Sequence, residues 1–340
     1  MKAALLRDYH RPLELVERAE PEPLGSRDVV VRVGGAGVCA TDLHAIDGLM
    51  GAAGVTVPLV LGHENAGWVH AAGPDVTTFA PGDAVLVYPP YSCGLCVACR
   101  RGNDMHCVRH QFTGLTRDGG FAEYVLVDER SLLALPDGVE PADVAPHADA
   151  GITAYHAVKK LVPHLGPGST AAIIGVGGVG HIALQLVRAL GAAETIAIDT
   201  DERRRNLAAL LGADEVLGEQ SDVAGAVREA TNGAGADVVL DFVGTDATHA
   251  AALRMLARRG VYSIVGYGGT VSVPSTDLVV VEQTITGNLV GSWIDLWELL
   301  QLHGRGAVTL HTESHALDDV NDVLARLREG EVTGRAVLVP

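Results

Sequence analysis

Four of the chain's five cysteines fall in one short loop, as Cys93, Cys96, Cys99 and Cys107, with the spacing C-x2-C-x2-C-x7-C. A loop that gathers four thiols is tied either by disulfides or by a metal, and the choice decides how it folds. A ferredoxin-type iron–sulfur run wants a shorter last gap and a proline after the final cysteine, whereas Val108 follows Cys107 here. Nothing in the chain points to an oxidising compartment. An all-thiolate set therefore predicts a closed, tetrahedral structural zinc site in a lobe spanning about residues 90–110.

The fifth cysteine, Cys39, stands far upstream, and His63-Glu64 follows it within Leu-Gly-His-Glu-Asn. This second set mixes sulfur, imidazole and carboxylate, which suits an open, catalytic zinc site. Two ligand sets, and so two zinc ions per chain, account for every cysteine.

Downstream, Gly175, Gly177, Gly178, Val179 and Gly180 belong to a G-x-G-G-x-G turn that follows the apolar run Ala-Ala-Ile-Ile and opens a helical pattern. Missing side chains permit a tight turn and close backbone approach to a pyrophosphate, which the helix N-terminus attracts. Asp199 ends the next predicted strand, 19 residues after Gly180. It is placed to bind the adenosine ribose hydroxyls, and a 2′-phosphate there meets a like charge, so NAD is favoured over NADP. Arg203, Arg204 and Arg205 follow; such a run is ordinarily a solvated helix face, and Arg204 is the one assigned to the ribose.

With 340 residues the chain has room for about two domains. Its net charge of −17 opposes binding to nucleic acid or anionic membranes, and 4% aromatic residues leave few stacking platforms. No run is apolar for the ~18 residues of a membrane span, and the N-terminus lacks a secretory pattern. The expected location is the cytoplasm.

Short strands at 29–33, 57–61, 67–71, 84–88 and 122–127, punctuated by turn pairs, predict an all-β unit of barrel form in residues 1–150. From 151 to 290 the texture becomes strand–helix alternation, with strands at 171–175, 195–199, 237–241 and 261–266, which predicts a doubly wound parallel sheet. Residues 291–340 add two helices and a last strand, 335–339.

Cys39-Ala-Thr41-Asp42-Leu-His44, Gly62-His63-Glu64, the cysteine lobe, Asp149-Ala-Gly-Ile-Thr153-Ala-Tyr155, the glycine turn and Gly334-Arg335-Ala-Val-Leu-Val occur in an order and spacing that resemble the zinc-dependent alcohol dehydrogenases of the medium-chain dehydrogenase/reductase family, bacterial secondary-alcohol dehydrogenases in particular. The resemblance covers the whole chain. It implies an α/β protein with a GroES-like β-barrel catalytic domain, completed by residues 291–340, plus a doubly wound Rossmann domain. It implies Cys39, His63 and Asp149 as catalytic zinc ligands, with Asp149 where many relatives carry cysteine. His147 competes for that role, and is read instead as an exposed loop histidine.

By the same resemblance, Glu64 ligates the metal transiently and Asp42 orients the His63 ring. The C-x-[ST]-x-x-H spacing makes Thr41 and His44 a proton relay from alcohol to solvent. Thr153, Val179 and Val265 lie by the nicotinamide, and Arg335 meets the pyrophosphate. Where relatives commonly read Gly-Thr-Arg, this chain has Gly291-Ser292-Trp293. The implied activity is oxidation of secondary alcohols to ketones and the reverse, by a homotetramer whose stretch 284–290 pairs across a two-fold axis. The alternatives are a polyol, sugar or threonine dehydrogenase, and an NAD-binding protein without turnover. Apolar pocket candidates are Ile46, Leu49, Met50, Leu115 and Val290.

Overall fold

The computed structural model describes residues 1–218 and 221–340. The chain divides into two compact units. One comprises residues 1–152, 292–304 and 310–340; the other comprises 153–291 and 305–309. None of the described helices is long and apolar enough to cross a membrane.

The first unit is built on a seven-stranded, mainly antiparallel sheet. Its longest strand, Asp28–Val38, is almost wholly buried, as its run of valine, alanine and glycine requires. Register shifts between Val30 and Val31 and between Val33 and Gly35 bend it. One edge pairs with Glu64–Ala72. The other takes Tyr124–Asp128 along its first half and the C-terminal strand Arg335–Val339 along its last residues. That arrangement matters for chemistry. Gly37 faces Glu64 and Val38 faces Ala336, so three strand ends deliver Cys39, His63-Glu64 and Arg335 to one end of the sheet.

Of the strand expected at 57–61, only Leu59–Val60 pairs. Pro58 has no N–H to donate, which shortens it. A small hairpin, Pro90–Tyr91 with Gln111–Phe112, closes the base of the cysteine loop.

The second unit carries a six-stranded, all-parallel sheet. Numbered along the chain, its strands lie in the order 3-2-1-4-5-6: Glu215–Leu217, Glu194–Ile198, Thr170–Ile174, Ala236–Asp241, Leu256–Ile264, Thr284–Gly287. This is the doubly wound dinucleotide-binding order, with its switch point between the first and fourth strands. The strands read as continuous apolar runs because helices cover both faces. Helix Gly180–Leu190 buries its first eight residues. Ile174, Ile196, Val239, Met255 and Tyr262 belong to the core on one side of the sheet.

The edge strand stops at Gly287, short of the expected 290. There Asn288 turns the chain, its side-chain amide donating to Ser263 Oγ at 2.8 Å and Ile264 O at 2.9 Å.

Candidate active site and zinc lobe

In the cysteine lobe the four Sγ atoms lie within 4.8 Å of one another. Backbone amides point at them: Cys93 N donates to Cys107 Sγ at 3.2 Å, Cys96 N to Cys93 Sγ at 3.4 Å, and Arg109 N to Cys107 Sγ at 3.3 Å. Amide donors of this kind stabilise thiolates. Those of Cys99 and Val108 draw the Cys96 thiol down to about 6. Burial pushes Cys99 up to about 12, a thiol that ionises at neutral pH only with a cation beside it. All four are free thiols, so the donor set fits a structural zinc.

Closing this loop without its ion leaves four polar sulfurs and little core. Cys96→Ser should therefore lower Tm by about 10 °C or more while leaving kcat of the surviving folded protein within a fewfold. Differential scanning calorimetry and activity at 25 °C check this together.

The second cluster is Cys39, His63, Glu64 and Asp149, whose ligand atoms also lie within 4.8 Å of one another. Cys39 is the N-cap of helix Ala40–Ile46, directly after the long strand. The Asp42 carboxylate, one turn in, accepts from Cys39 N at 2.9 Å, and its other oxygen lies 3.2 Å from His63 Nδ1. One buried carboxylate thus braces both the backbone of the first candidate ligand and the ring of the second.

With Nδ1 facing Asp42, Nε2 of His63 is turned to Asp149 Oδ2, 3.5 Å away, and makes no hydrogen bond among the described residues. Nδ1, though 3.2 Å from Asp42, likewise makes no hydrogen bond by the same measure, and an unbonded Nε2 facing a thiol and a carboxylate fits a metal ligand. Burial disfavours a charged His63, but Asp42 and Asp149 outweigh it and raise its pKa well above the ordinary value. The same field that attracts a proton to Nε2 attracts a metal ion. Burial also works against ionised Asp149, yet His63, Arg335 and Cys39 hold its pKa below the usual carboxylate value. Thiol, imidazole and carboxylate fit zinc with a position left for substrate. The Phe112 ring stands edge-on to His63, 6.1 Å between centroids, and keeps that side apolar.

Glu64 is fully buried. Its Oε1 accepts from Ala150 N at 3.0 Å, and its Oε2 pairs with Arg335 Nη2. Burial raises the Glu64 carboxyl, a push that the Arg335 guanidinium opposes. Arg335 was expected at a pyrophosphate; what the structure shows it holding, itself only 4% exposed, is Glu64. Sequence reasoning missed that pairing, although the neighbouring strand ends carry it.

His147 is not an exposed loop residue. It is fully buried, and its Nε2 meets Nδ1 of His303 at 3.1 Å, so that nitrogen is engaged away from Asp149. Thr41 is half-buried, with its hydroxyl 3.6 Å from Cys39 Sγ, and His44 is half-buried one turn further along the same helix. Ile46 and Leu115 are buried, whereas Leu49 is 72% exposed and Met50 half-buried. Trp293 replaces a charge with a cap: its N–H donates to Asp104 Oδ1 at 3.3 Å and its indole to Leu132 O at 3.3 Å.

In the second unit, Gly175 has φ +86°, a conformation glycine adopts without strain, and a side chain on Gly180 would overlap the Gly175 carbonyl. Gly177, Gly178 and Val179 are half-buried at the turn. Asp199 lies at the end of the adjacent strand, and its carboxylate accepts from Val176 N at 2.8 Å and Asp201 N at 2.9 Å. Each oxygen keeps a lone pair for a ribose hydroxyl.

The arginine run divides its labour. Arg203 is paired with Asp201 at 2.6 Å, and Arg205 donates to the carbonyls of Asp199 and Thr200. Arg204 stands over the turn, about 3.9 Å from where a side chain on Gly177 would begin. Thr153 is half-buried on helix Ala150–Lys159, and Val265 is half-buried just past strand Leu256–Ile264.

Residues 25–137 match the alcohol dehydrogenase GroES-like domain, and residues 178–303 match the zinc-binding dehydrogenase domain. An alcohol dehydrogenase of Geobacillus stearothermophilus is 36% identical over 99% of each chain. A D-arabinose 1-dehydrogenase (NADP(+)) of Saccharolobus solfataricus is 35% identical over 100% of this chain and 97% of its own length. The crystal structure of the Aeropyrum pernix alcohol dehydrogenase superposes with a TM-score of 0.97 at 44% identity, covering all of both chains. With both domains matched and relatives aligned end to end, the chain belongs to the zinc-dependent alcohol dehydrogenases of the medium-chain dehydrogenase/reductase family.

Proposed function

We propose that this protein oxidises secondary alcohols to ketones with NAD, and runs the reverse reduction. The observation that carries the reading is the cluster of buried Cys39 and His63 with half-buried Asp149, His63 Nε2 being unbonded, in a chain that also has a complete dinucleotide turn. Zinc held there supplies a Lewis acid that lowers the pKa of an alcohol hydroxyl, and the bound dinucleotide accepts the hydride.

The chain's own residues do the rest. Asp42 fixes the His63 tautomer by facing Nδ1. Arg335 pairs with Glu64 next to the ligand set and opposes the burial that disfavours its charged form, and this carboxylate would be the transient ligand as substrate and water exchange. The Thr41 hydroxyl receives the alcohol proton and His44, further out on the same helix, releases it to solvent. Phe112 excludes water from one flank of the site. Thr153, Val179 and Val265 line the nicotinamide, and Arg204 lies along the adenosine ribose.

A test measures zinc in the pure protein and NADH absorbance with 2-propanol, longer secondary alcohols, primary alcohols, pentoses, polyols and threonine. Two zinc ions per chain and turnover of secondary alcohols are expected. One zinc, or iron, overturns the metal assignment. The full-length similarity to a D-arabinose dehydrogenase favours a second reading, a sugar dehydrogenase, which faster turnover of pentoses would establish.

We further propose a homotetramer in a reducing cytoplasm. The outer strand Thr284–Gly287 is an edge of the parallel sheet, and Val279, Val280 and Leu289 beside it in sequence are 74%, 67% and 53% exposed. Light scattering at micromolar concentration should give four times the chain mass of 35.4 kDa; a stable monomer overturns it.

A further inference from the structure

At the switch point of the parallel sheet, the fourth strand ends in Asp241, fully buried and assigned no role so far. Its two carboxylate oxygens are both engaged. Oδ1 accepts from Val243 N at 2.9 Å and Gly244 N at 3.0 Å. Oδ2 accepts from the Tyr262 hydroxyl at 2.8 Å, and that hydroxyl meets Nδ1 of His249 at 2.5 Å. Because the tyrosine proton goes to the carboxylate, His249 must donate from Nδ1, which settles its tautomer. Tyr262 and His249 are 0% and 3% exposed. Burial and the adjacent carboxylate push the phenol far above its ordinary pKa, so it stays a donor.

The backbone of the same residue works on a second segment: Asp241 O accepts from both Val265 N and Gly266 N at 2.9 Å. The first of these segments borders the glycine turn and packs on the second. Phe242 N donates to Ile174 O at 2.9 Å, and Val243 Cγ2 lies 2.7 Å from where a side chain on Gly175 would begin. Gly244 and Gly266 are packed backbone to backbone. One aspartate therefore sets the wall of the glycine turn on one side and Val265 on the other. Ligands of doubly wound sheets bind in the crevice at this place.

We propose that Asp241, locked by Tyr262 and His249, is a positioning residue that preorganises the dinucleotide site before cofactor arrives. The inference rests on the dinucleotide reading above. Without the lock, ordering the 242–244 and 265–266 segments falls on the binding step and weakens it.

The test uses zinc-loaded, full-length enzyme. Tyr262→Phe keeps the shape and removes the bridge; Asp241→Asn keeps the size and removes the charge. Both should raise the Kd for NADH, read by fluorescence titration, and KM for NAD by about tenfold, with kcat for alcohol oxidation within about twofold. His249→Gln, which retains a donor, should recover most of the affinity relative to His249→Ala. A purely structural role would lower Tm with Kd and KM unchanged, and that result overturns the proposal.

Should the variants not fold, amide exchange in the wild-type enzyme decides. Val243, Gly244, Val265 and Gly266 amides already protected without NADH support preorganisation; protection that appears only with NADH overturns it. Wild-type protein that does not bind NADH at all removes the cofactor reading and this inference with it, whereas normal wild-type binding with unaltered variants removes this inference alone.

Discussion

Cys39→Ser should abolish turnover almost completely while the protein stays folded. The serine hydroxyl is a poor zinc ligand at neutral pH, and the remaining imidazole and carboxylate hold the ion weakly. Losing Lewis-acid activation of the alcohol should cost about 4 kcal/mol or more of transition-state stabilisation, on the order of a thousandfold in kcat/KM. Stability should change little, because Cys39 caps its helix through backbone geometry and through Asp42, which accepts from its N–H whatever the side chain. Zinc content should fall from two ions to one per chain. Normal kcat/KM with one zinc, or unfolding without it, overturns the separation of the two sites.

That separation follows from how each set is built. The lobe thiols are four residues of one loop, closed at its base by a two-stranded hairpin, and a zinc ion held by them would tie that loop together. Cys39 and His63 of the catalytic set stand at strand ends that the sheet aligns, and Asp149 is carried at the start of helix Ala150–Lys159, so the set draws on elements the fold already places. Zinc is therefore a folding element in one place and a reagent in the other.

Much of this was legible in the sequence, for a physical reason. Cysteine spacing and the glycine turn are local signals, and a parallel strand buried on both faces writes itself as an apolar run. What was illegible depends on residues far apart in the chain. Arg335 and Glu64 are 271 residues apart and meet because the last strand pairs with the long one. His147 was read as an exposed loop histidine, but it is buried and its ring meets that of His303, which comes from a distant helix. Asp241 passed unnoticed as a polar residue ending a strand. An acid followed by Phe-Val-Gly at the end of the fourth strand was the available signal, and it gains meaning only when strand order places it at the switch point.

Asp199 should decide which dinucleotide this enzyme uses. Its carboxylate accepts from Val176 N and Asp201 N, so it is fixed at the turn with a lone pair left on each oxygen for a ribose hydroxyl. A 2′-phosphate brought there meets that charge at close range, and discrimination on the order of a few kcal/mol follows. Asp199→Gly removes the repulsion and leaves Arg204, which stands over Gly177, to meet a 2′-phosphate; Arg203 pairs with Asp201 and Arg205 donates to backbone carbonyls. The ratio of kcat/KM for NAD to that for NADP should therefore drop about a hundredfold or more, and Arg204→Ala in the same background should take back most of the NADP gain. The variant also loses the anchor on Val176 N, so its kcat/KM for NAD should fall outright. Wild-type enzyme that uses NADPH as readily as NADH would mean that Arg204 outweighs Asp199, and the assignment of cofactor preference to the carboxylate would be wrong.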